Sequence, residues 1–260
     1  MNKLFQIKTY LNFYIKSTNQ HGVHSPFVYN LITKCFYKKT TQTKISLIDS
    51  YRNKLFSNNS KINVTDFGKG STVFNTNSRE ISRIARIAGI SKKRSQLLIR
   101  IVAYFSSQHI LELGTSLGIG TASMSIGNPN SNITSIEGCS ETARIAQEQF
   151  DIHSLTNINL QIGDLNTILP KIVINQSYDL IYFDGNHQKE ATINYFNECL
   201  KHSHNDSVFI FDDIHWSKEM EQAWEIIKES PNVTVTIDTF YWGFVFFRKE
   251  QRKEHFIIRV

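Results

Sequence analysis

The chain is 260 residues long, with 29 Lys and Arg against 23 Asp and Glu, a net charge of +6 and 40% hydrophobic residues. That length can bury a full core, and no apolar run reaches the roughly 18 residues that a membrane span needs. Asn2, Lys3, Gln6, Lys8 and Asn12 interrupt the start where a secretory signal would be apolar, and Cys35, Cys139 and Cys199 are unclustered, so reduced thiols in a cytoplasm are expected and the Asn63-Val64-Thr65 glycosylation match carries no weight.

Charge divides the chain sharply. Residues 1–109 hold 18 Lys and Arg against three acids (Asp49, Asp66 and Glu80), a net of +15, and residues 110–260 hold 11 against 20, a net of −9. Such asymmetry implies an anionic partner, nucleic acid included, or a basic half that covers the acidic one. The basic residues are scattered and carry no RNA-binding signature. Helical patterns fall at 5–16, 26–36, 45–56, 80–88 and 92–106, the last with Leu97, Leu98, Ile101, Val102 and Phe105 at helical spacing on one face. The segment H-G-V-H-S-P-F at 21–27 is either a lid over an active site or a connection in which Ser25 caps a helix and Pro26 occupies its first turn. Residues 66–71, D-F-G-K-G-S, are a loop in a Ser-, Asn- and Thr-rich stretch; the kinase-like D-F-G is set aside because no other kinase element accompanies it.

From residue 110 strands and helices alternate. Strand patterns at 110–113, 133–137, 158–162, 180–183 and 208–211 are separated by helical ones, the rhythm that forces a parallel sheet. Two further strands, 233–238 and 244–248, flank a Tyr-Trp-Gly turn. The first strand runs into I-L-E-L-G-T-S-L-G-I-G at 110–120 and then a small-residue helix at 121–126. Glycines at 114, 118 and 120 allow backbone amides to approach a ligand closely, and Glu112 adds a carboxylate suited to a cationic or amino-bearing cofactor. This spacing differs from G-x-G-x-x-G. The later strands also end in acids: Glu137, Gly163-Asp164, Asp184 with Gly185-Asn186-His187, and Asp212-Asp213 with Ile214-His215-Trp216. Ligands of open α/β sheets bind beyond the carboxyl ends of the strands, so Asp184, Asp212, Asp213, His187 and His215 should converge on a substrate.

The glycine segment, together with the acidic strand ends downstream of it, resembles the class I S-adenosylmethionine-dependent methyltransferases over roughly the last 150–170 residues. The resemblance implies a Rossmann-like α/β fold with a seven-stranded sheet and an antiparallel last strand. A basic, mainly helical extension at 1–90 would precede a methyltransferase domain at 91–260. S-adenosylmethionine would be held by Glu112, Gly114, Ser116, Gly118 and Gly120, by Glu137 at the ribose, by Asp164 near the adenine, and by Asp184.

The acidic strand ends look like the catechol-type, metal-dependent O-methyltransferases. There an Asp after the fourth strand and an Asp-Asn pair after the fifth hold a divalent ion that activates the hydroxyl to be methylated. Asp184 and Asp212 match those positions; Asp213 stands where the family has Asn. An oxygen-rich set of this kind suits Mg²⁺ or a similar divalent cation. His187 falls where the family has its basic lysine, and imidazole is a competent base for an activated hydroxyl. The plainer alternative has Asp184 touching only the cofactor, Asp212 and Asp213 capping the next helix, and His215 and Trp216 closing the pocket.

The resulting expectation is methyl transfer to a hydroxyl oxygen of a small molecule with divalent-metal assistance. The alternatives are an RNA (tRNA) methyltransferase, a metal-independent methyltransferase, and a binding module without turnover. A homodimer is also common in this family.

Overall fold

The computed structural model describes residues 3–65, 76–174 and 176–260, so the loop expected at 66–71 lies outside the described residues. They form two compact units: a central unit, Lys38–Ile168, and a terminal unit, Met1–Tyr37 with Leu169–Val260.

The chain opens with α1 (Lys3–Lys16) and α2 (Pro26–Leu31), which runs on through a π-helical turn at Ile32–Phe36. Ser25 is the cap of α2, its hydroxyl accepting from the Val28 amide, with Pro26 in the first turn. Proline suits that position because its missing amide would have no helical acceptor there.

In the central unit α3 (Gln42–Phe56) is followed by β1 (Lys61–Asn63) and β2 (Ser78–Glu80), an antiparallel pair of their own, then α4 (Ile81–Ile87) and α5 (Lys92–Phe105). The apolar face expected of α5 is buried at Leu97, Leu98, Ile101 and Val102. Ser91 caps its start, and Ser106, at φ 51°, turns the chain out of its end. Next come β3 (His109–Leu113), α6 (Ile119–Gly127), β4 (Asn132–Glu137), α7 (Ser140–Ile152) and β5 (Ile158–Ile162), with β3, β4 and β5 paired in parallel. Helix α8 (Leu165–Val173) carries the chain across the boundary between the units.

Much of the basic character of the central unit is used on its own carbonyls. Lys44 donates to Gly127 O, Arg86 to Phe56 O, Arg79 to Thr76 O and Arg52 to Ile90 O, while Lys92 pairs with Asp49. Such contacts end helices and tie loops without requiring a partner molecule.

The terminal unit continues with β6 (Leu180–Phe183), α9 (Lys189–Leu200), β7 (Val208–Asp212), α10 (Lys218–Glu229), β8 (Val235–Asp238), β9 (Trp242–Phe246) and β10 (Glu254–Ile257). Its strands lie in the order β10-β8-β9-β7-β6. β6 and β7 are parallel, and β9 runs antiparallel to both β7 and β8. All seven expected strands are present as β3 to β9, with β10 an eighth, parallel to β8. The expected mixed α/β architecture, with parallel strands, an antiparallel strand late in the chain and helices ahead of it, is present.

One boundary moves. Strand β9 begins at Trp242, two residues before the expected 244, because Trp242 and Gly243 are sheet and the turn lies at residues 239–241, with Phe240 at φ 73°. Gly243 pairs with Phe211 and Asp238 in the sheet, and it is bare because a Cβ there would come within 2.6 Å of the Trp224 ring of α10. The lid reading of residues 21–27 is also corrected. Ser25 bonds Gln251, and the Phe27 ring packs on Phe246 beneath Arg248. The β7–β9 register pairs Phe246 with Val208 and Trp242 with Asp212, so Phe27 lies at the end of β7 remote from Asp212, about 13 Å along the strand at ~3.3 Å per residue. Among the described residues no helix is long and apolar enough to cross a membrane.

Candidate active site

In the central unit β3 hands the chain to α6 through a loop of three left-handed residues: Gly114 (φ 101°), Ser116 (φ 50°) and Gly118 (φ 76°). The amides of Gly114 and Thr115 both donate to Ile136 O, anchoring the loop to β4. Gly118 is required twice over. Its φ disfavours a side chain, and a Cβ would come within 2.5 Å of the Tyr51 hydroxyl and 2.6 Å of the Phe150 ring. Its bareness therefore serves packing against α3 and α7. Gly120 lies in the first turn of α6 and is buried.

Glu137, at the end of β4, stands beside this loop. One carboxylate oxygen accepts from the Ser116 amide at 2.7 Å and the other from the Cys139 amide at 2.8 Å. Burial pushes its pKa up, against these hydrogen bonds, which pull it down. The carboxylate is thus oriented at the strand end beside the glycine loop, the place where sheets of this kind receive a ribose diol. On this observation the residues present fit S-adenosylmethionine.

Glu112 is placed differently from the ligand-facing position expected. It is 1% exposed, and the Thr121 and Ser135 hydroxyls donate to the same one of its oxygens. Ser135 is its register partner on β4, which puts both side chains on one face of the sheet. Burial, with the neighbouring Glu137 charge adding to it, pushes the Glu112 pKa up to about 8. Glu112 thus braces the loop from inside the fold. Asp164 accepts from both the backbone and the side-chain nitrogens of Asn166 at 3.1 Å and leads into α8.

In the terminal unit β6 delivers Asp184, and His187 turns back toward it, Nε2 lying 3.7 Å from Oδ1. Between them Asn186 adopts φ 62° and its side-chain amide donates to the Tyr195 hydroxyl at 3.3 Å. Asp212, at the end of β7, is 4% exposed; it accepts from the Tyr182 hydroxyl at 3.2 Å and from the Asp213 amide at 2.9 Å. Asp213 occupies a left-handed turn at φ 55°. Neither caps α10, whose cap is Ser217.

His215 is turned away from the expected cluster. Its Nδ1 lies 2.8 Å from Glu221 and its Nε2 2.7 Å from Asp238, and its ring stacks on Phe240 at 5.3 Å. Burial acts to lower its pKa, but the hydrogen bonds and charges of Asp238 and Glu221 together raise it. With an acceptor on each nitrogen the ring is held as an imidazolium.

The expected divalent site does not fit this donor set. Among the described residues no three His, Cys, Asp or Glu side chains gather into a group that could hold a metal ion. His215 has gone to another pair of acids. Sequence reasoning missed Tyr51, Tyr182, Glu221 and Asp238, which come from distant elements and carry no local motif.

Residues 111–214 match a family model described as a methyltransferase domain. No curated protein sequence matches the chain. Among solved structures it is similar to an O-methyltransferase from Bacillus cereus in complex with SAH, at 16% identity, covering 90% of this chain and 97% of that one with a TM-score of 0.56. It is also similar to the SAH-bound Podospora anserina methyltransferase PaMTH1, at 11% identity, covering 96% and 97% with a TM-score of 0.60. A third is the O-methyltransferase TomG from Streptomyces achromogenes, involved in tomaymycin synthesis and solved with SAM: 15% identity, 82% and 92% coverage, TM-score 0.57. Residues 111–214 thus match a methyltransferase-domain model, and the chain shares the fold of these SAM- and SAH-bound methyltransferases.

Proposed function

We propose that the protein transfers a methyl group from S-adenosylmethionine to a hydroxyl oxygen of a small molecule. The observation that carries the reading is the His187–Asp184 pair at the end of β6, 3.7 Å apart. The O-methyltransferases among its structural neighbours support the choice of oxygen as acceptor.

In the central unit, Glu137 and the loop of Gly114, Ser116, Gly118 and Gly120 bind the cofactor, with Asp164 toward the adenine and Glu112 bracing the loop. Bound there, S-adenosylmethionine supplies an electrophilic methyl on its sulfonium. In the terminal unit His187 takes the proton of the acceptor hydroxyl at Nδ1, and the Asp184 charge beside Nε2 steadies the imidazolium that forms. Holding the acceptor oxygen in line is the larger contribution, since no covalent intermediate is needed.

A second point rests on Asp212. That no three His, Cys, Asp or Glu side chains gather around it among the described residues favours transfer without a resident divalent ion over the Asp184, Asp212 and Asp213 metal set.

The test is S-adenosylhomocysteine formation across a panel of hydroxylated small molecules, with and without EDTA. Turnover that survives EDTA and falls about 100-fold in His187→Ala at unchanged cofactor affinity supports the reading. Turnover that vanishes with EDTA and returns with Mg²⁺ sinks the metal-free route, and His187→Ala at full activity sinks the base.

A further inference from the structure

Helix α1 leaves one face bare. Leu4, Ile7, Leu11 and Ile15 are 78%, 58%, 55% and 81% exposed. At about 100° per residue they share an arc of roughly 140° with Tyr10 and Tyr14. The packed side is marked by Phe13, which is buried with its ring 5.5 Å from Phe240, and Tyr10 at the edge of the arc reaches the same ring at 4.9 Å. Single exposed aliphatic side chains are ordinary, but a contiguous apolar arc along a whole helix marks an interaction surface.

Charge decides what covers it. The first 37 residues contain four lysines (Lys3, Lys8, Lys16 and Lys34) and no acid. Lys8 and Lys16 are exposed, and the Arg259 guanidinium lies 5.1 Å over the Tyr14 ring. A second copy of α1 would match the apolar arc but set lysines against lysines, with no acid on either helix to answer them. A layer of anionic lipid headgroups over acyl chains supplies both the negative charge and the apolar depth. Tyrosines at the rim of the arc suit the boundary between the two. At 14 residues the helix is about 21 Å long, too short to span a bilayer and suited to lying in its surface.

We propose that α1 is a docking helix for an anionic membrane surface, with Leu4, Ile7, Leu11 and Ile15 entering the acyl boundary, Lys8 at the edge of that arc facing the headgroups, and Lys16 adding positive charge from the far side. The test is co-sedimentation of the full chain with vesicles of phosphatidylcholine alone and of phosphatidylcholine mixed with phosphatidylglycerol. The expected result is binding to the mixed vesicles only, weakened by high salt. The double variant Ile7→Gln with Leu11→Gln, which changes only exposed side chains, should lose at least about tenfold in binding with an unchanged melting curve. Lys8→Glu with Lys16→Glu should weaken binding while leaving the apolar face intact. No binding to the mixed vesicles, or binding unchanged in the Ile7/Leu11 variant, overturns the proposal. So does a solution dimer, by sedimentation velocity, that the Ile7/Leu11 variant dissociates, because the face then belongs to a second copy.

Discussion

The hydroxyl of Tyr51 donates to the carbonyl oxygen of Leu117 at 2.9 Å, one residue before Gly118. The ring belongs to α3 and packs beside Phe150 and His153 of the α7 region. A residue 66 positions upstream of the glycine loop therefore fixes the loop's backbone. Tyr51→Phe keeps the ring against Gly118 and removes only the hydrogen bond. Its expected cost is about 1 kcal/mol, read as a lower melting temperature and a severalfold rise in the dissociation constant for S-adenosylmethionine by calorimetry. An unchanged affinity would mean that the loop holds its shape without α3.

Glu137 serves the loop in its own right, because both its oxygens accept backbone amides. Glu137→Ala strands two donors and should destabilise the fold by about 1–3 kcal/mol besides weakening cofactor binding. Glu137→Gln retains one acceptor oxygen, so its stability loss should be smaller while the affinity loss stays about tenfold or more. Chemical denaturation beside cofactor titration separates the two effects. Equal affinity loss without any stability loss in the alanine variant would contradict the amide contacts.

The raised pKa of Glu112 makes stability depend on pH. A buried acid with a pKa of about 8 in the fold and near 4.5 when unfolded favours the protonated folded state. Its contribution is complete below about pH 4.5 and is lost as pH rises toward 8, at about 1.4 kcal/mol per unit within that window. Glu112→Gln removes the titration. The stability of the variant relative to the parent should therefore climb between about pH 5 and 8 and level off above. A difference flat with pH would show that Glu112 is ionised in the folded protein.

His215 also loses stability as pH rises, in a higher window. Its folded pKa is raised above the ordinary 6.5 by Asp238 and Glu221 acting against burial. The clamp contributes fully below about pH 6.5 and fades as pH passes the raised value. Against His215→Asn, the parent's advantage in melting temperature should be largest in mild acid and shrink in mild alkali. An advantage that grows with pH would mean that the ring is neutral.

How much of the fold and site is legible in the chain depends on the range over which each feature is decided. Strands β3 to β7 show as apolar runs because their buried residues lie close together in sequence, and Glu137 shows because a Gly-Cys-Ser turn into the next helix marks its strand end. The direction of Glu112 does not show: in a strand buried on both sides, alternation no longer separates a ligand-facing carboxylate from one that meets Ser135 and Thr121. The start of β9 is misplaced because Tyr-Trp-Gly reads as a turn, and only Trp224, on another helix, shows that the glycine serves packing and not a turn. The position of His215 just after Asp212 and Asp213 points it at the substrate, yet Glu221 and Asp238 claim both its nitrogens. Proximity to a motif says where a residue begins its reach and leaves open what it reaches.

Helix α6 is held at both ends by one neighbour, since Lys44 meets Gly127 O at its finish while Tyr51 meets Leu117 O ahead of its start. Lys44 and Tyr51 are about two turns apart on α3, so a single rigid rod spans the helix like a splint. The residues ahead of α5 are consequently not severable from the glycine loop. A chain cut before Lys92 would keep every glycine of the motif and still lose the template on which that loop is shaped.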